Sequence, residues 1–427
     1  LHLSIRRQRQ MCIRDSLYIY MRRHGVKDSV IAEAIKNTGM IAESCNVEIK
    51  PQLRMPAVNA TEKDDIRQFM RLLEDGFKRK VIDKGLDEDA YRARLEVETR
   101  VIIENHFAGY FNVVHDLVRT AKDDKDMFVG PGRGSAGGAL ASYLLNITEL
   151  DPIKYDLLFE RFLAEGRGGL PDIDVDLQQS RLHEIKNYTA QVYGHNHVCG
   201  IGTFTRSSPK SMINDLCRAL NVPINESKQI RKSIGKLPVN PAHSPQRRWN
   251  DMLELKGDRI RPWIRKYPEV FRYGAQMIGM VRQSSSHASG WIISSDPLEG
   301  NLPLRRTKDG GPVSQFEQPE IEWMGFVKFD LLGLRHLDTI KWTLDAIKER
   351  HGKDINLYEF DDEQYTDPAI WDRVGKGDTL GLFQLEANLM ASTSKKFKPQ
   401  SEREVAELLA VCLLYTSPSP RDATLSR

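Results

Sequence analysis

The segment Pro171–Asp176 reads PDIDVD in one-letter code, and it is the stretch of sequence that decides the fold. Alternate residues of a β-strand share a face, so a strand here places Asp172, Asp174 and Asp176 on one face and two β-branched residues on the other. Three neighbouring carboxylates repel one another unless a cation neutralises them, and oxygen ligands suit a hard ion such as Mg²⁺. The alternative is an exposed edge strand that carries charges against aggregation.

A second carboxylate follows an apolar run much later in the chain. Asp330 closes the segment Phe326–Asp330, FVKFD, and the pattern over residues 324–331 predicts a strand. Taken alone, Asp330 is interpreted as an N-cap for the following helix, whose apolar residues recur from Leu337 to Ile347. Taken together with the first strand, it completes a carboxylate site for two metal ions.

A glycine-rich segment lies between these features and the N-terminal third of the chain. Gly130–Gly138 reads GPGRGSAGG and joins a short strand predicted at 128–129 to a helix predicted from about Ser135. Its amides and the helix N-terminus suit phosphate oxygens, and Arg133 adds a cation. The run matches GxGxxG, but the sequence lacks the acidic residue that closes the second strand of a dinucleotide-binding fold and the GxxxxGK[ST] pattern of a P-loop. It therefore favours a triphosphate over a dinucleotide.

The composition is that of a soluble globular protein. The 427 residues are 40% hydrophobic and 28% charged, and no apolar run approaches a membrane span, which excludes an integral membrane protein and a collagen-like or low-complexity chain. The length predicts about two to four domains. Apolar residues at three- and four-residue spacing predict helices over 63–82 and 86–105. Five cysteines without a CxxC pair indicate a reducing compartment, so we expect a cytoplasmic protein with no membrane partner.

Both ends of the chain read as translated DNA adapter. Codons for residues 11–16, MCIRDS, and for residues 412–416, CLLYT, can be written as reverse complements of one another. We therefore expect residues 1–16 and 412–427 to be artefacts outside the fold, rather than a basic targeting helix and a Ser/Pro-rich tail. The part between them is close to neutral and is expected to be a piece of a longer protein.

Positive charge is concentrated in residues 204–285, which hold sixteen Lys/Arg against six Asp/Glu. Within this basic block, six cationic residues lie near three aromatic ones: Arg247, Arg248, Arg259, Arg261, Arg265 and Lys266, with Trp249, Trp263 and Tyr267. A basic block in an otherwise acidic chain indicates contact with a polyanion. A solvated helical surface is the alternative.

Two histidine motifs leave their roles open. His195, His197 and Cys199 have the spacing HxHxC, but the single-residue gaps and the lack of an evident fourth ligand favour a structural loop over zinc. His287 precedes an apolar segment and either contacts a substrate phosphate or bonds a loop carbonyl.

Four motifs together resemble the bacterial DNA polymerase III alpha subunit family, the C-family replicative polymerases, in order and spacing: Gly130–Gly138, Leu157–Leu163, Pro171–Asp176 and Val327–Leu334. The resemblance covers roughly residues 30–411 and implies an α/β (α+β) fold with the nucleotidyltransferase palm of DNA polymerase β. The implied domains are a remnant of a phosphoesterase-like (PHP) domain at 17–52, palm at 53–203 and 286–331, a helical thumb at 204–285 and partial helical fingers at 332–411.

The resemblance also implies site residues. Asp172 and Asp174 match the paired metal-binding aspartates and Asp330 matches the third, so two Mg²⁺ ions are the implied cofactor. Gly134 and Ser135 match the family's turn at the incoming triphosphate, and Arg133 and Lys328 are added to them as predicted nucleotide-binding residues. Lys210 and Arg218 match basic positions near the palm–thumb boundary, and Arg247, Arg248 and Arg261 of the basic block are added to them as predicted DNA-binding residues. Two departures from the family pattern, Leu177 and the segment SHASGW at 286–291, indicate a divergent member of bacterial or phage origin. They leave His287 as a candidate substrate contact.

The implied function is that of a fragment of a replicative DNA-directed DNA polymerase, which adds deoxynucleotides to a primer 3′-hydroxyl and releases pyrophosphate. Primer–template DNA and deoxynucleoside triphosphates are the implied substrates, and a sliding clamp and other replisome subunits are implied partners of the full-length protein. A metal-dependent phosphoesterase and a non-catalytic DNA-binding fragment are the alternatives. Because the fingers are expected to stop at Val411, we expect slow catalysis and exposed apolar residues such as Leu408 and Leu409.

Overall fold

The computed structural model describes residues 15–46, 51–56, 58–59, 61–163, 170–235, 237, 243–307, 310–359 and 367–416. The chain divides into two units, Leu1–Gln52 and Leu53–Arg427. The first unit is helical over 15–23 and in helix α1 (Asp28–Ser44). The features described below belong to the second unit.

The second unit is built on a mixed six-stranded sheet with the strand order β1-β6-β3-β2-β5-β4. The strands are β1 (Asp174–Gln178), β2 (Val198–Arg206), β3 (Val281–Ile293), β4 (Leu304–Arg306), β5 (Pro312–Ser314) and β6 (Lys328–Leu334). The pairs β1–β6 and β2–β5 are parallel, whereas β6–β3, β3–β2 and β5–β4 are antiparallel. The α/β class predicted from the sequence is confirmed at this level.

Helices that precede β1 share one apolar core with the β1–β6 edge of the sheet. They are α2 (Glu62–Phe77), α3 (Glu88–Glu104), α4 (Ala108–Arg119) and α5 (Leu140–Leu144). The Thr61 side chain accepts a hydrogen bond from the Asp64 amide, and acidic residues fill the first turn of α2, both of which favour a helix start. The helices predicted at 63–82 and 86–105 are confirmed. The core of this region joins residues from the helices and both strands, among them Phe69, Phe111, Ile173, Val175, Phe329 and Leu331.

The basic block forms four helices with a core of their own, inserted between β2 and β3. They are α7 (Pro209–Ala219), α8 (Ile224–Ile234), α9 (Pro245–Lys266) and α10 (Pro268–Met277), and α6 (Leu182–Tyr193) precedes β2. Three of the four begin at proline, which lacks the amide that a first helical turn leaves unpaired anyway. Trp249 fills the middle of this core, and a Cβ atom on Gly274 would stand 2.1 Å from its ring. The four helices are therefore packed around an apolar centre.

The helices of the C-terminal part are α11 (Gln318–Trp323), α12 (Arg335–His351), α13 (Pro368–Gly375), α14 (Asn388–Phe397) and α15 (Glu402–Thr416). Leu408 is 3% exposed and packs with Leu385, Met390 and Cys412, while Leu409 packs partly buried against the same cluster. The expectation that Leu408 and Leu409 are exposed is therefore wrong. Leu380, at 89% exposure, is the most open large apolar side chain among those described.

The buried Cys412 belongs to a segment for which an adapter origin is predicted, and that origin stays a prediction. Residues 1–14 and 417–427 of the two predicted adapter segments lie outside the described residues. A search of the described helices for one with the length and apolar character of a membrane span finds none.

Three predicted strands differ in detail from those observed. β1 begins at Asp174, so Asp172 lies just before the strand, and β6 runs from 328 to 334 instead of from 324 to 331. Phe128-Val129 is not a strand. Side chains bond its backbone instead: the Phe128 amide donates to Gln178 Oε1 at 2.9 Å, and the Val129 amide donates to Tyr358 Oη at 2.9 Å. These side-chain partners replace the neighbouring strand that the pattern suggested.

The close approach of α2 to α5 predicts a packing-sensitive glycine. A Cβ atom on Gly76 would stand 2.2 Å from the Leu144 carbonyl oxygen, and neither backbone can yield without moving a helix. We expect Gly76→Ala to lower the free energy of unfolding in urea by about 1–3 kcal/mol.

Gly257→Ala is the matched control, because Gly257 is also helical and a Cβ atom there meets nothing within 4 Å. It should raise the free energy of unfolding by about 0.4–1 kcal/mol. Equal stability of the two variants would contradict the close packing of α2 on α5.

Candidate active site

The parallel pairing of β1 with β6 brings together carboxylates that are far apart in the sequence. Asp174 stands opposite Asp330 in the register, and Asp330 pairs with Gly290 of β3 on its other side. Asp330 is 5% exposed and lies within the strand, whereas α12 begins only at Arg335. The interpretation of Asp330 as a helix N-cap is therefore wrong. The structure places Asp330 beside Asp174 of the first carboxylate strand, as the alternative interpretation predicted.

Lys328 is the cation of this cluster. Its Nζ lies 2.6 Å from Asp330 Oδ2 and 3.3 Å from Asp172 Oδ1, and its side chain is 13% exposed. The Ser289 hydroxyl donates to the other oxygen, Asp330 Oδ1, at 3.0 Å. Asp330 is thus held from two sides, and Asp172 is linked to it through Lys328.

Burial and mutual repulsion destabilise the ionised carboxylates. Partial burial raises the pKa of Asp172; the charge of Lys328 opposes this shift, and the neighbouring Asp330 adds to it. Burial also raises the pKa of Asp174, and repulsion from Asp330 and Asp172 raises it further. Burial alone would lower the pKa of Lys328, but the hydrogen bond to Asp330 and the charges of both aspartates raise it. The cluster therefore favours the presence of positive charge.

The donor chemistry fits a hard divalent cation, although the side chains are not gathered around a single point. Within the part of the chain that the structure describes, no group of three His, Cys, Asp or Glu side chains is arranged to hold a metal ion. The Lys328 ammonium stands between two of the three carboxylates instead. Carboxylate oxygens are nevertheless ligands that a hard divalent ion such as Mg²⁺ prefers.

Asp176, the third acidic residue of the PDIDVD segment, pairs with Arg133 instead of with Lys328. It is 8% exposed, and Arg133 bonds it through Nη2 at 2.9 Å and Nε at 3.0 Å. Burial raises the pKa of Asp176, and the hydrogen bond from Arg133 opposes that shift. Arg133, predicted to meet a triphosphate, is therefore held by Asp176 in this structure.

The glycine-rich turn packs directly on β1. The Gly130 amide donates to the Asp176 carbonyl at 2.9 Å, and a Cβ atom on Gly130 would stand 2.7 Å from Asp176 Cβ. Gly134 adopts φ of +66°, and a Cβ atom there would stand 3.7 Å from Asp174 Oδ2. Ser135 is exposed at the start of a short 3₁₀ helix (Gly134–Gly138), which replaces the longer helix predicted from that residue. The turn and the carboxylates thus line one site.

A buried glutamate that the sequence analysis missed supports the far end of the turn. Glu98 accepts hydrogen bonds from the amides of Leu140 and Ala141 at 3.0 and 2.9 Å. Arg94 pairs with Glu98 at 2.7 Å and donates to the Gly138 carbonyl at 2.9 Å. The only local signal was an Arg–Glu pair at i, i+4 on α3, which is common on exposed helices.

The histidines have structural partners. His287 Nδ1 accepts from the Gly290 amide at 2.8 Å, so the ring bonds a backbone amide rather than a loop carbonyl, one of the two partners that the sequence left open. His197 Nδ1 lies 3.0 Å from the Ser294 carbonyl oxygen, and Cys199 is fully buried in β2. Burial raises the pKa of the Cys199 thiol to about 12. These contacts favour the structural interpretation of the HxHxC motif.

The predicted DNA-binding residues lie on α7 and α9. Lys210 and Arg218 are exposed on α7, Arg247 and Arg261 are exposed on α9, and Arg248 is half-buried there. The nearby aromatic residues point elsewhere: Trp249 is in the core, Trp263 Nε1 donates to Ser233 and the Tyr267 hydroxyl donates to Glu226. Trp249 is thus buried beneath the surface that carries Arg247 and Arg261, whereas Lys266 Nζ lies 5.6 Å from the centroid of the Tyr267 ring.

Comparison with known proteins gives two adjoining matches. Residues 67–333 match the family described as the bacterial DNA polymerase III alpha NTPase domain, and residues 336–416 match its finger domain. The chain is 34% identical to DNA polymerase III subunit alpha of Campylobacter jejuni over 92% of this chain and 34% of that protein. It is 33% identical to the Aquifex aeolicus protein over 84% of this chain and 32% of the relative. The chain spans about a third of the length of these curated relatives.

The Arg133–Asp176 pair predicts a stability effect that an exposed pair lacks. Arg133→Met leaves the buried Asp176 carboxylate without its cation, so we expect a loss of about 2–3 kcal/mol in the free energy of unfolding. Adding Asp176→Asn should recover part of that loss, because the double variant no longer buries an unpaired charge.

Arg67→Met is the control, since Arg67 pairs with Asp64 at 3.3 Å but is 78% exposed. Its expected effect is about 0–1 kcal/mol. Strictly additive effects of Arg133→Met and Asp176→Asn in urea unfolding would contradict the coupling.

Proposed function

The chain belongs to the bacterial DNA polymerase III alpha subunit family, and on that premise we propose that it carries the nucleotidyl-transfer site of a DNA-directed DNA polymerase. The observation that carries the proposal is the pairing of Asp174 with Asp330 beside the glycine turn, with Asp172 linked to Asp330 through Lys328. Carboxylates next to an amide-rich turn are what a reaction between a nucleotide triphosphate and a hydroxyl requires.

We assign the carboxylates Asp172, Asp174 and Asp330 as the residues that hold divalent metal, two Mg²⁺ ions in our proposal. When bound, such ions supply charge stabilisation to the phosphoryl oxygens and lower the pKa of the attacking hydroxyl. Asp330 is held in place by Ser289 and Lys328, which fixes its orientation before any ligand arrives.

The triphosphate is assigned to the glycine turn. Gly134 lies beside Asp174, the exposed Ser135 follows it in the chain, and Arg133 and Lys328 each bring a cation to the same region. A triphosphate would compete with Asp176 for Arg133 and with Asp172 for Lys328. In the reaction, the primer 3′-oxygen forms a bond to the α-phosphorus, the bond between that phosphorus and the β-phosphate oxygen breaks, and pyrophosphate leaves.

We assign the domains accordingly: palm at 53–203 and 286–331, thumb at 204–285, fingers beginning at 332 and a PHP remnant at 17–52. The separate apolar core of α7–α10 supports treating the thumb as one body. Its exposed cations are proposed to hold duplex DNA through phosphates, without reading base sequence. A sliding clamp and other replisome subunits are proposed partners of the longer protein. Cytoplasmic location is proposed with them.

A primer-extension experiment tests the catalytic assignment. Asp174→Asn and Asp330→Asn should each slow single-turnover extension and pyrophosphate release by at least about a hundredfold, since the charge stabilisation they support is worth several kcal/mol. Asp83→Asn, in an exposed loop, is the control and should extend primer like the parent chain.

The same experiment separates the alternatives. A metal-dependent phosphoesterase would release phosphate without lengthening the primer. A non-catalytic DNA-binding chain would bind duplex equally well with Asp174 or Asn at that position and extend nothing. Extension that survives both substitutions would contradict the assignment of the carboxylates.

The basic block predicts a salt dependence of duplex binding. The logarithm of the affinity should fall with the logarithm of salt concentration by about 0.9 for each phosphate contacted. Replacing Arg247, Arg248 and Arg261 together by Gln should flatten this slope by about 0.9 for each phosphate that these side chains hold in the parent chain.

The control replaces three exposed arginines outside the block, Arg67, Arg373 and Arg403, each paired with a carboxylate as Arg247 and Arg261 are. It removes the same formal charge and should leave the slope almost unchanged. The same slope for both triple variants would make the block a solvated surface.

A further inference from the structure

Tyr358 bonds both backbone groups of Val129, just ahead of the glycine turn. Its hydroxyl accepts from the Val129 amide at 2.9 Å and donates to the Val129 carbonyl at 2.8 Å. A residue on a neighbouring antiparallel strand would exchange the same two hydrogen bonds. One side chain, 229 residues away in the sequence, therefore satisfies the backbone groups that a neighbouring strand would otherwise bond.

The Tyr358 ring is fixed on two further contacts. Phe128 stacks on it with ring centroids 5.2 Å apart and planes 15° apart, and Lys122 Nζ lies 4.7 Å from its centroid. Burial raises the pKa of Tyr358, so the hydroxyl keeps the proton that it donates. Stacking and cation–π contact restrict the ring, which makes the hydroxyl a rigid anchor.

Lys341 and Asp338, which precede Tyr358 in the chain, also hold the segment 126–129 that leads into the glycine turn. Lys341 Nζ bonds Asp126 Oδ2 at 2.9 Å. Asp338 accepts from Gln178, whose Oε1 in turn accepts from the Phe128 amide. Asp338, Lys341 and Tyr358 all belong to the part of the chain that matches the finger domain. The glycine turn belongs to the part that matches the NTPase domain, so these contacts join the regions of the two family matches.

The residues that link Val129 to Arg133 and Gly134 are closely packed, so we expect a shift of the Val129 backbone to shift the turn as well. The next amide, that of Gly130, is bonded to the Asp176 carbonyl, and Gly130 Cα lies too close to Asp176 for a side chain. The Pro131 carbonyl accepts from the Glu149 amide at 2.7 Å. Arg133 and Gly134 follow within three residues.

We propose that Tyr358 is a positioning residue for the triphosphate turn, through which the region matched to the finger domain sets the placement of Arg133, Gly134 and Ser135. The proposal rests on the function proposed above for that turn. The Tyr358 side chain bonds the backbone of Val129 and packs on Phe128 and Lys122, and it acts on the nucleotide through the Val129 backbone.

The test compares Tyr358→Phe with Tyr188→Phe in the full 427-residue chain. Both substitutions remove one half-buried hydroxyl and keep the ring; the Tyr188 hydroxyl donates to Asp116 at 2.8 Å, away from the turn. Tyr358→Phe removes both hydrogen bonds to Val129 and should weaken dATP binding in Mg²⁺ by about fivefold to tenfold. It should also speed amide exchange in the peptide that covers 126–134, measured by mass spectrometry.

Binding of Mn²⁺ without nucleotide is the readout that separates positioning from general damage. Tyr358→Phe should leave Mn²⁺ affinity unchanged, because the carboxylates do not depend on the hydroxyl, and Tyr188→Phe should change neither affinity. Equal loss of dATP and Mn²⁺ affinity would mean general damage and overturn the proposal.

The remaining outcomes separate this proposal from the function on which it rests. Unchanged dATP affinity in Tyr358→Phe, with normal binding by the parent chain, overturns the positioning role alone. Unchanged amide exchange at 126–134 overturns the anchor itself. Absence of dATP binding in the parent chain overturns the proposed function and the positioning role with it.

Discussion

The parallel pairing of β1 with β6 is the constraint on which the rest of the site depends. It forces the Asp174 and Asp330 carboxylates together above a layer of apolar side chains, where like charges repel strongly. Lys328 offsets this cost from the same strand as Asp330, because residues two apart on a strand share a face. The Asp330 carboxylate and the Lys328 ammonium therefore both lie on β6, so the pairing of β6 with β1 positions them together.

The evenly spaced aspartates of the PDIDVD segment acquire three different environments. The side chain of Asp172 is 62% exposed, Asp174 is half-buried, and Asp176 is 8% exposed. Burial deepens along the strand because the chain runs from the surface into the unit. The deepest carboxylate can remain only beside a cation, and Arg133 supplies it. A single motif thus splits into a carboxylate cluster and an ion pair that ties the glycine turn to the sheet.

The predictable features were those with a local signal. Helices α2 and α3 followed from apolar spacing, and the meeting of Asp330 with Asp174 followed from two apolar strands that each carry a carboxylate. The partners of the Phe128-Val129 backbone could not be predicted, because Gln178 and Tyr358 lie 50 and 229 residues away. Glu98 was missed for the same reason, since it bonds amides 42 and 43 residues further on. Leu408 was placed on the surface wrongly because its partners are supplied by α14 and the segment before it.

The basic block shows how a sequence that mixes charge and aromatic residues separates in three dimensions. On α9 the ring of Trp249 turns into the core, while Arg247 faces solvent and pairs with Asp251 at 2.9 Å. Arg261 similarly pairs with Asp258 at 3.5 Å. A polyanion must therefore compete with carboxylates of the same helix, but exposed pairs contribute only about 0–1 kcal/mol each, so the exchange costs little. Because the aromatic rings in the described part of the block are buried or half-buried, the free energy that the block can offer a nucleic acid comes mainly from phosphate contacts and counterion release. Under the proposed function, the block would hold duplex DNA by charge, while nucleotidyl transfer would depend on the carboxylates and the glycine turn.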